Sequence, residues 1–97
     1  MNEARTSGGA VRLLSTSRRE RLAAITDVDP TTLGDARALA EALLFDGAAD
    51  VRAAAATRLA AAPDPGSIFV LLDGAGDEAP SVRQACFAAL ARLGARK

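Results

Sequence analysis

The chain has 97 residues, 49% of them hydrophobic and 25% charged, which predicts a single globular domain and excludes a disordered tail. Its formal net charge at pH 7 is zero, so no bulk electrostatic attraction draws it toward nucleic acid or acidic membranes. Twenty-four residues are alanine and only three are aromatic, so we expect stability from close helix contacts rather than from large side chains.

The first predicted elements lie in the N-terminal third of the chain. Residues 1–9 are polar and contain glycine, so we predict a flexible leader. A short helical turn follows. Ser17 and Glu20 then have the spacing of a capping box, which starts a helix over 18–26. The segment 27–30 interrupts this helix.

The longest apolar periodicity predicts a helix that ends near Phe45. We expect Asp29 to cap it, Pro30 to fill its first position, and Gly47 to supply a left-handed turn after its end. Its apolar residues share one face at helical spacing: Leu33, Ala36, Leu39, Ala40, Leu43 and Leu44.

The second half of the chain predicts three further helices. We expect Asp50 to cap one over 51–62, and Ser81 to cap the last, which ends near Leu93. Between them, the apolar run IFVLL has the length of a strand or of a short helix. We predict a helix, because the chain has no other strand candidate to pair with. The predicted fold class is therefore all-α.

Part of the sequence occurs twice. Val51 and Arg52 recur further along the chain as Val82 and Arg83, and we call the interval from Val51 to Val82 the repeat spacing. The apolar residues of each copy fall on one arc of a helix: Val51, Ala54, Ala55, Leu59 and Ala62, then Val82, Ala85, Cys86, Ala89, Leu90 and Leu93. Self-similarity at such a period is typical of helical repeat proteins, in which each unit buries its apolar face against its neighbours.

The matching positions of the two copies are Asp46, Val51, Arg52, Ala54 and Leu59, then Asp77, Val82, Arg83, Ala85 and Leu90. These two copies resemble HEAT repeats, especially the short bacterial type named after the phycobilisome lyases. The resemblance implies one repeat domain over 10–97, with approximate units 10–28, 29–63 and 64–97, the first of them degraded. It also implies a short right-handed α-solenoid (superhelix) of about three HEAT-like helical hairpins, with the second helices lining the concave side.

The resemblance further implies a structural ladder of hydrogen bonds between adjacent units. Its members would be Asp46, Arg52, Asp77 and Arg83, and Arg19 would stand at the equivalent place in the first unit. Arginine suits this role because its stem packs on apolar neighbours while its planar fork satisfies a carboxylate or helix-end carbonyls.

No residue pattern points to catalysis. The chain has no His, Tyr or Trp, so the commonest acid–base group is absent, and Cys86 has no His partner and lies on the predicted buried arc. The acidic residues lie in separate turns, without metal-ligand spacing. We therefore expect no enzymatic activity, cofactor or metal. The single cysteine excludes an internal disulfide. Together with the lack of a signal-peptide or membrane-spanning run, it predicts a soluble, cytoplasmic protein.

The function that remains is protein binding. The second helices predict a smooth, alanine-rich face with arginine at its rim, which suits a partner helix carrying acidic residues. We expect an adaptor or assembly subunit. Arg58 is of special interest, because its counterpart in the second copy is Ala89 and it breaks the repeat without a packing reason. The predicted partner-contacting residues on this face are Arg21, Thr57, Arg58, Gln84 and Arg92.

Phe87 lies outside the main apolar arc, on the side where another unit would stack. Terminal repeats normally present a polar outer face, so this side chain predicts docking onto a partner or a homodimer through the C-terminal end.

Two alternatives stay open. Seven arginines fall on the predicted second helices, so a regulatory nucleic-acid-binding protein is one alternative, although no Tyr or Trp is present for base stacking. An accessory subunit of an enzyme is the other, and the sequence does not separate it from an adaptor.

Overall fold

The structure, a computed structural model, describes residues 8–62 and 64–94. These ranges contain helices and no strand, so the predicted all-α fold class is confirmed. The run IFVLL lies within a helix. The elements are α1 (Gly8–Arg12), α2 (Arg18–Ala24), a 3₁₀ turn (Ile25–Asp27), α3 (Leu33–Phe45), α4 (Ala49–Leu59), α5 (Gly66–Gly74) and α6 (Pro80–Gly94).

The helices pack in three consecutive pairs. α1 contacts α2, α3 contacts α4, and α5 contacts α6. The first helices of adjacent pairs also contact each other, and α4 lies between α2 and α6. The Cα atoms span 35 × 30 × 17 Å, and the shortest dimension accommodates two layers of helices.

The core consists of a few branched side chains separated by alanines. Alanine is fully buried at Ala24, Ala55, Ala56 and Ala60. Such small side chains let neighbouring helix backbones approach closely, which compensates for the small area that each one buries. The largest fully buried apolar side chains are Val28, Leu39, Leu43, Val51, Leu59, Leu71 and Val82.

The N-terminal end of the described fold is helical where a leader was predicted. α1 begins at Gly8, within the segment 1–9, and residues 1–7 lie outside the described ranges. A Cβ atom at Gly9 would lie 2.9 Å from the backbone carbon of Asp27. Glycine at this position therefore allows α1 to rest directly on the 3₁₀ turn.

Only one of the two hydrogen bonds of the predicted capping box is present at the start of α2. The Ser17 hydroxyl accepts the Glu20 backbone N–H at 3.2 Å. The Glu20 carboxylate does not reach back to the Ser17 N–H; it accepts the Ser15 hydroxyl at 2.5 Å instead. The Ser17 N–H donates to the Ser15 hydroxyl.

The helix starts predicted at Asp50 and Ser81 are wrong. α4 begins at Ala49 and α6 at Pro80, so both residues already lie in the first turn. The carboxylates of Asp46 and Asp77 accept the backbone N–H groups of Ala48 and Ala79 and begin these helices earlier in the chain.

The predicted start of α3 and the glycine after it also differ from the structure. Asp29 accepts the Thr31 N–H at 3.0 Å, so Asp29 and Pro30 belong to a turn, and the helix begins only at Leu33. Within the described ranges no glycine has positive φ. Gly47 therefore makes no left-handed turn, because Asp46 leaves α3 in an extended conformation.

Candidate functional site

Arg52 connects the second helix pair to the third. Its Nε donates to Asp77 Oδ2 at 2.9 Å, and its Nη2 donates to Asp77 Oδ1 at 3.1 Å. The third nitrogen, Nη1, donates to the Asp46 backbone carbonyl at 2.9 Å. Both side chains are largely buried, at 11% and 14% exposure. The Arg52 guanidinium thus connects the two turns that precede α4 and α6.

Arg21 repeats this arrangement between the first and second pairs. Its Nε donates to Asp46 Oδ2 at 2.7 Å and its Nη2 to Asp46 Oδ1 at 3.1 Å. Nη1 donates to the Ser15 carbonyl at 3.0 Å. The expectation that Arg19 holds this place is wrong, because Arg21 stands one repeat spacing before Arg52 and makes the same contacts. The guanidinium of Arg21, expected to face a partner, is thereby engaged within the chain.

Each ladder aspartate also holds the start of the helix that follows it. Asp46 Oδ1 accepts the Ala48 N–H at 2.9 Å, and Asp77 Oδ1 accepts the Ala79 N–H at 2.9 Å. The Arg52 guanidinium and the Ala79 N–H hold the pKa of Asp77 below its ordinary value. Burial alone would raise the pKa of Asp46, but hydrogen bonds from Arg21 and Ala48 outweigh it, so this pKa is also lowered.

These lowered pKa values predict loss of stability in acid. A carboxylate with a folded pKa below its unfolded value, about 3.9 for Asp, stabilises the fold above that unfolded value. This contribution is lost as the pH falls through the folded pKa. We expect denaturant midpoints to decline below about pH 4, and the decline to be smaller in Asp77→Asn. Asp73→Asn, at an exposed carboxylate outside the ladder, is the matched control. An acid profile of Asp77→Asn that matches this control would contradict the assignment.

The last ladder arginine, Arg83, is engaged on one side only. Its Nη1 donates to the carbonyls of Asp77 and Glu78, at 2.9 and 3.0 Å. No carboxylate within residues 8–62 and 64–94 accepts from its Nε or Nη2.

A separate groove brings three of the predicted partner residues together. It has a volume of about 430 Å³ and lies between the 3₁₀ turn, α4 and α6. Gln84 and Phe87 are exposed elsewhere on α6. The groove is lined by Ile25, Thr26, Ala54, Thr57, Arg58, Ala61 and Arg92.

Arg58 has a structural role that the sequence did not predict. Its Nε donates to the Val28 carbonyl at 3.1 Å, and its Nη2 approaches the Thr26 carbonyl at 3.5 Å. It therefore supports the end of the 3₁₀ turn, while Arg92 is exposed on the other side of the groove. The interpretation that Arg58 breaks the repeat without a packing reason is wrong.

Asp35 is a polar core residue that the sequence reasoning missed. It is 1% exposed, and its Oδ2 accepts the Asp29 backbone N–H at 2.8 Å. A signal was available, because position 35 lies about one helical turn before Leu39, on the apolar face of α3. Its carboxylate therefore braces the turn that precedes α3.

Chemistry-bearing groups are sparse in the part of the chain that the structure describes. No three His, Cys, Asp or Glu side chains there are grouped to hold a metal ion. Cys86 is fully buried, as predicted, and burial raises the pKa of its thiol. Among these same residues, no helix combines the length and apolar character needed to cross a membrane.

Paired helices linked by a repeating arginine–aspartate contact define a helical repeat protein. The family model for HEAT repeats matches residues 36–97, which covers most of α3 and all of α4 to α6. The chain therefore belongs to the HEAT-repeat family. No curated protein and no solved structure matches the chain.

Proposed function

We propose that the chain is a non-enzymatic interaction module, an adaptor or assembly subunit that binds an acidic helix of a partner protein. HEAT repeats are generally protein-interaction modules. The observation that carries the proposal is the groove shared by Thr57, Arg58 and Arg92. In this proposal the three helix pairs form a short right-handed solenoid of the bacterial lyase type, and the groove lies on its concave side.

The lining of the groove fits a helix with acidic residues. Its lining includes Ala54 and Ala61, whose small side chains allow close approach, and Ile25 supplies apolar contact. Two guanidinium groups and no carboxylate line it. A partner carboxylate would therefore meet complementary charge in the groove, which steers association and selects against basic partners.

The same charges are too few to favour nucleic acid. Of the seven arginines assigned to the second helices, five are engaged within the chain. Arg19 and Arg92 are the two without a hydrogen bond or ion pair among the described residues. Strong binding to the phosphates needs several free cations, and proteins that hold single-stranded nucleic acid usually also stack its bases on aromatic side chains. The engaged arginines are Arg18 with Asp50, Arg21 with Asp46, Arg52 with Asp77, and Arg58 and Arg83 with backbone carbonyls.

An accessory subunit of an enzyme would use the same groove, so its distinction from an adaptor rests on the partner. Copurification of an enzyme whose activity changes when the chain binds would favour the accessory role. A partner that only joins other proteins would favour the adaptor.

Arg92→Glu is the sharpest test of the groove, because Arg92 is exposed and is not engaged within the described fold. We expect at least about tenfold weaker binding of the partner, since a favourable charge pair becomes a repulsion of like charges. The chain would be used to capture proteins from source lysate, and the captured protein would then be titrated against each purified variant.

Arg37→Glu is the matched control, since Arg37 is exposed on α3 and outside the groove. Restored binding of Arg92→Glu by a Glu→Arg change in the partner helix would identify the contact. If Arg92→Glu and Arg37→Glu bind equally well, or if wild type captures only nucleic acid released by moderate salt, the proposal fails.

A further inference from the structure

The contact between successive helix pairs follows one rule at two places. The arginine of one pair holds its Nη1 on the carbonyl of the preceding turn, and directs Nε and Nη2 onto an aspartate of the next pair. Arg21 and Asp46 obey the rule, and so do Arg52 and Asp77, with the same separation along the chain. The acceptor is therefore in both cases the turn before the second helix of the next pair.

Arg83 follows the first half of this rule. Its Nη1 is fixed on the Asp77 carbonyl, as that of Arg52 is fixed on the Asp46 carbonyl. Its Nε and Nη2 meet no carboxylate in the described part of the chain. Since two of its bonds hold the guanidinium in place, little further ordering is needed when an acceptor arrives.

We propose that Arg83 and Phe87 form a docking end that receives an aspartate-bearing turn and its following helix from another protein. The two residues lie about one turn apart on α6 and so share a face of the helix. The partner carboxylate would accept from Nε and Nη2 of Arg83, while its helix would cover Phe87. This end face does not depend on the groove.

A comparison of α4 with α6 identifies this face as a stacking surface. Ala56 and Ala60 are fully buried at the end of the second pair, whereas their counterparts one repeat spacing further on, Phe87 and Ala91, are exposed. Ala56 lies about one turn after Arg52, whose guanidinium contacts the third pair, so both share the side of α4 that faces that pair. The corresponding side of α6, which carries Arg83 and Phe87, is open among the described residues. Phe87 is 59% exposed and much larger than Ala56, so the partner helix must offer a hollow for its ring.

The first helix pair of a second copy does not supply the required aspartate. Ser15 occupies its place, one repeat spacing before Asp46, and its hydroxyl accepts the Ser17 N–H as Asp46 accepts the Ala48 N–H. A hydroxyl in place of a carboxylate removes the charge-assisted pair with the arginine fork. The Glu20 carboxylate beside this turn already accepts the Ser15 hydroxyl. The proposed occupant is therefore a different protein, whose turn carries an aspartate at this place.

The test adds one helix pair to the chain as a probe. Phe87 is first changed to Ala, the residue at the equivalent place in α4, because the copied pair is the one that follows Ala56 in the chain. A copy of residues 60–94 is then joined after Leu90, as Ala60 follows Leu59, so that the copied Asp77 stands as far after Arg83 as Asp77 stands after Arg52. Thermal unfolding is followed by circular dichroism for this extended chain and for a version whose copied aspartate is asparagine. We expect the aspartate form to unfold about 4 °C higher or more. Equal midpoints would overturn the proposal.

Arg83→Gln, made in both the extended and the original chain, isolates the pair. It should lower the midpoint more in the extended chain, because only there does the fork also hold a carboxylate. Equal decreases would count against Arg83 as the donor to that carboxylate. Sedimentation of the original chain tests the occupant: we expect a monomer. A dimer that both Arg83→Gln and Phe87→Glu dissociate would overturn the assignment to a different protein.

Discussion

Replacing Arg52 with glutamine is expected to lower the free energy of unfolding by about 3 kcal/mol, because a largely buried carboxylate loses its partner. Asp77 would keep only the Ala79 N–H, and the Asp46 carbonyl would lose the Nη1 donor. Urea denaturation of the two proteins at neutral pH measures the difference.

Arg19→Gln is the matched control for this substitution. Arg19 is exposed beside the ladder position, and it makes no hydrogen bond or ion pair among the described residues. We expect its effect to stay within about 0.5 kcal/mol. The double variant Arg52→Gln/Asp77→Asn should be more stable than the sum of the two single changes implies, since it leaves no unpaired charge. Equal stability of Arg52→Gln and Arg19→Gln would show that the ladder contributes nothing.

The repeat made much of this fold predictable from sequence. The spacing that relates Val51 to Val82 also placed Arg52 and Arg83 at equivalent positions, and Cys86 on the buried arc. Periodicity of this kind reports directly on burial, because every unit must cover the same face of its neighbour. The family resemblance then supplied the type of contact that these arginines make.

The ladder arginine of the first unit was harder to predict, because the local pattern and the repeat spacing indicate different residues there. No valine precedes an arginine in residues 17–21, so Arg19 and Arg21 were both available. Counting one repeat spacing back from Arg52 selects Arg21, and the structure places that side chain on Asp46. Spacing was the better guide because the ladder is set by the stacking of units rather than by a local motif.

The contact of Arg58 with a backbone carbonyl could not be predicted. Arg58 donates to the carbonyl of Val28 in the preceding unit, and any residue carries such an acceptor. The predicted helix starts at Asp50 and Ser81 were wrong for a related reason. Aspartate at position 50 is a favourable helix cap, yet α4 begins before it, because the Asp46 carboxylate accepts the Ala48 N–H. The same carboxylate also binds Arg21. Tertiary contacts therefore decided between two local solutions of similar energy.

The packing of α5 against α6 predicts a second large effect at Gly74. A Cβ atom there would lie 2.6 Å from Cys86 Sγ and 3.1 Å from a δ-carbon of Leu43. Gly→Ala within a helix is otherwise favourable by about 1 kcal/mol. Overpacking a closed core costs about 1–3 kcal/mol, and Gly74 is the last residue of α5, where the gain in helix propensity is smallest. We therefore expect Gly74→Ala to destabilise the protein by about 2 kcal/mol in urea denaturation.

Cys86→Ala should relieve this clash, because it removes the sulfur that the new methyl group meets. Alone, Cys86→Ala leaves a small void and costs about 1 kcal/mol. Combined with Gly74→Ala, the methyl group occupies the vacated space, so the double variant should be more stable than Gly74→Ala by itself. Gly76→Ala is the control, since a Cβ there meets only the Asp73 carbonyl, at 3.6 Å. If Gly74→Ala is as stable as Gly76→Ala, α5 and α6 are not held this close, and the sulfur contact does not explain the glycine.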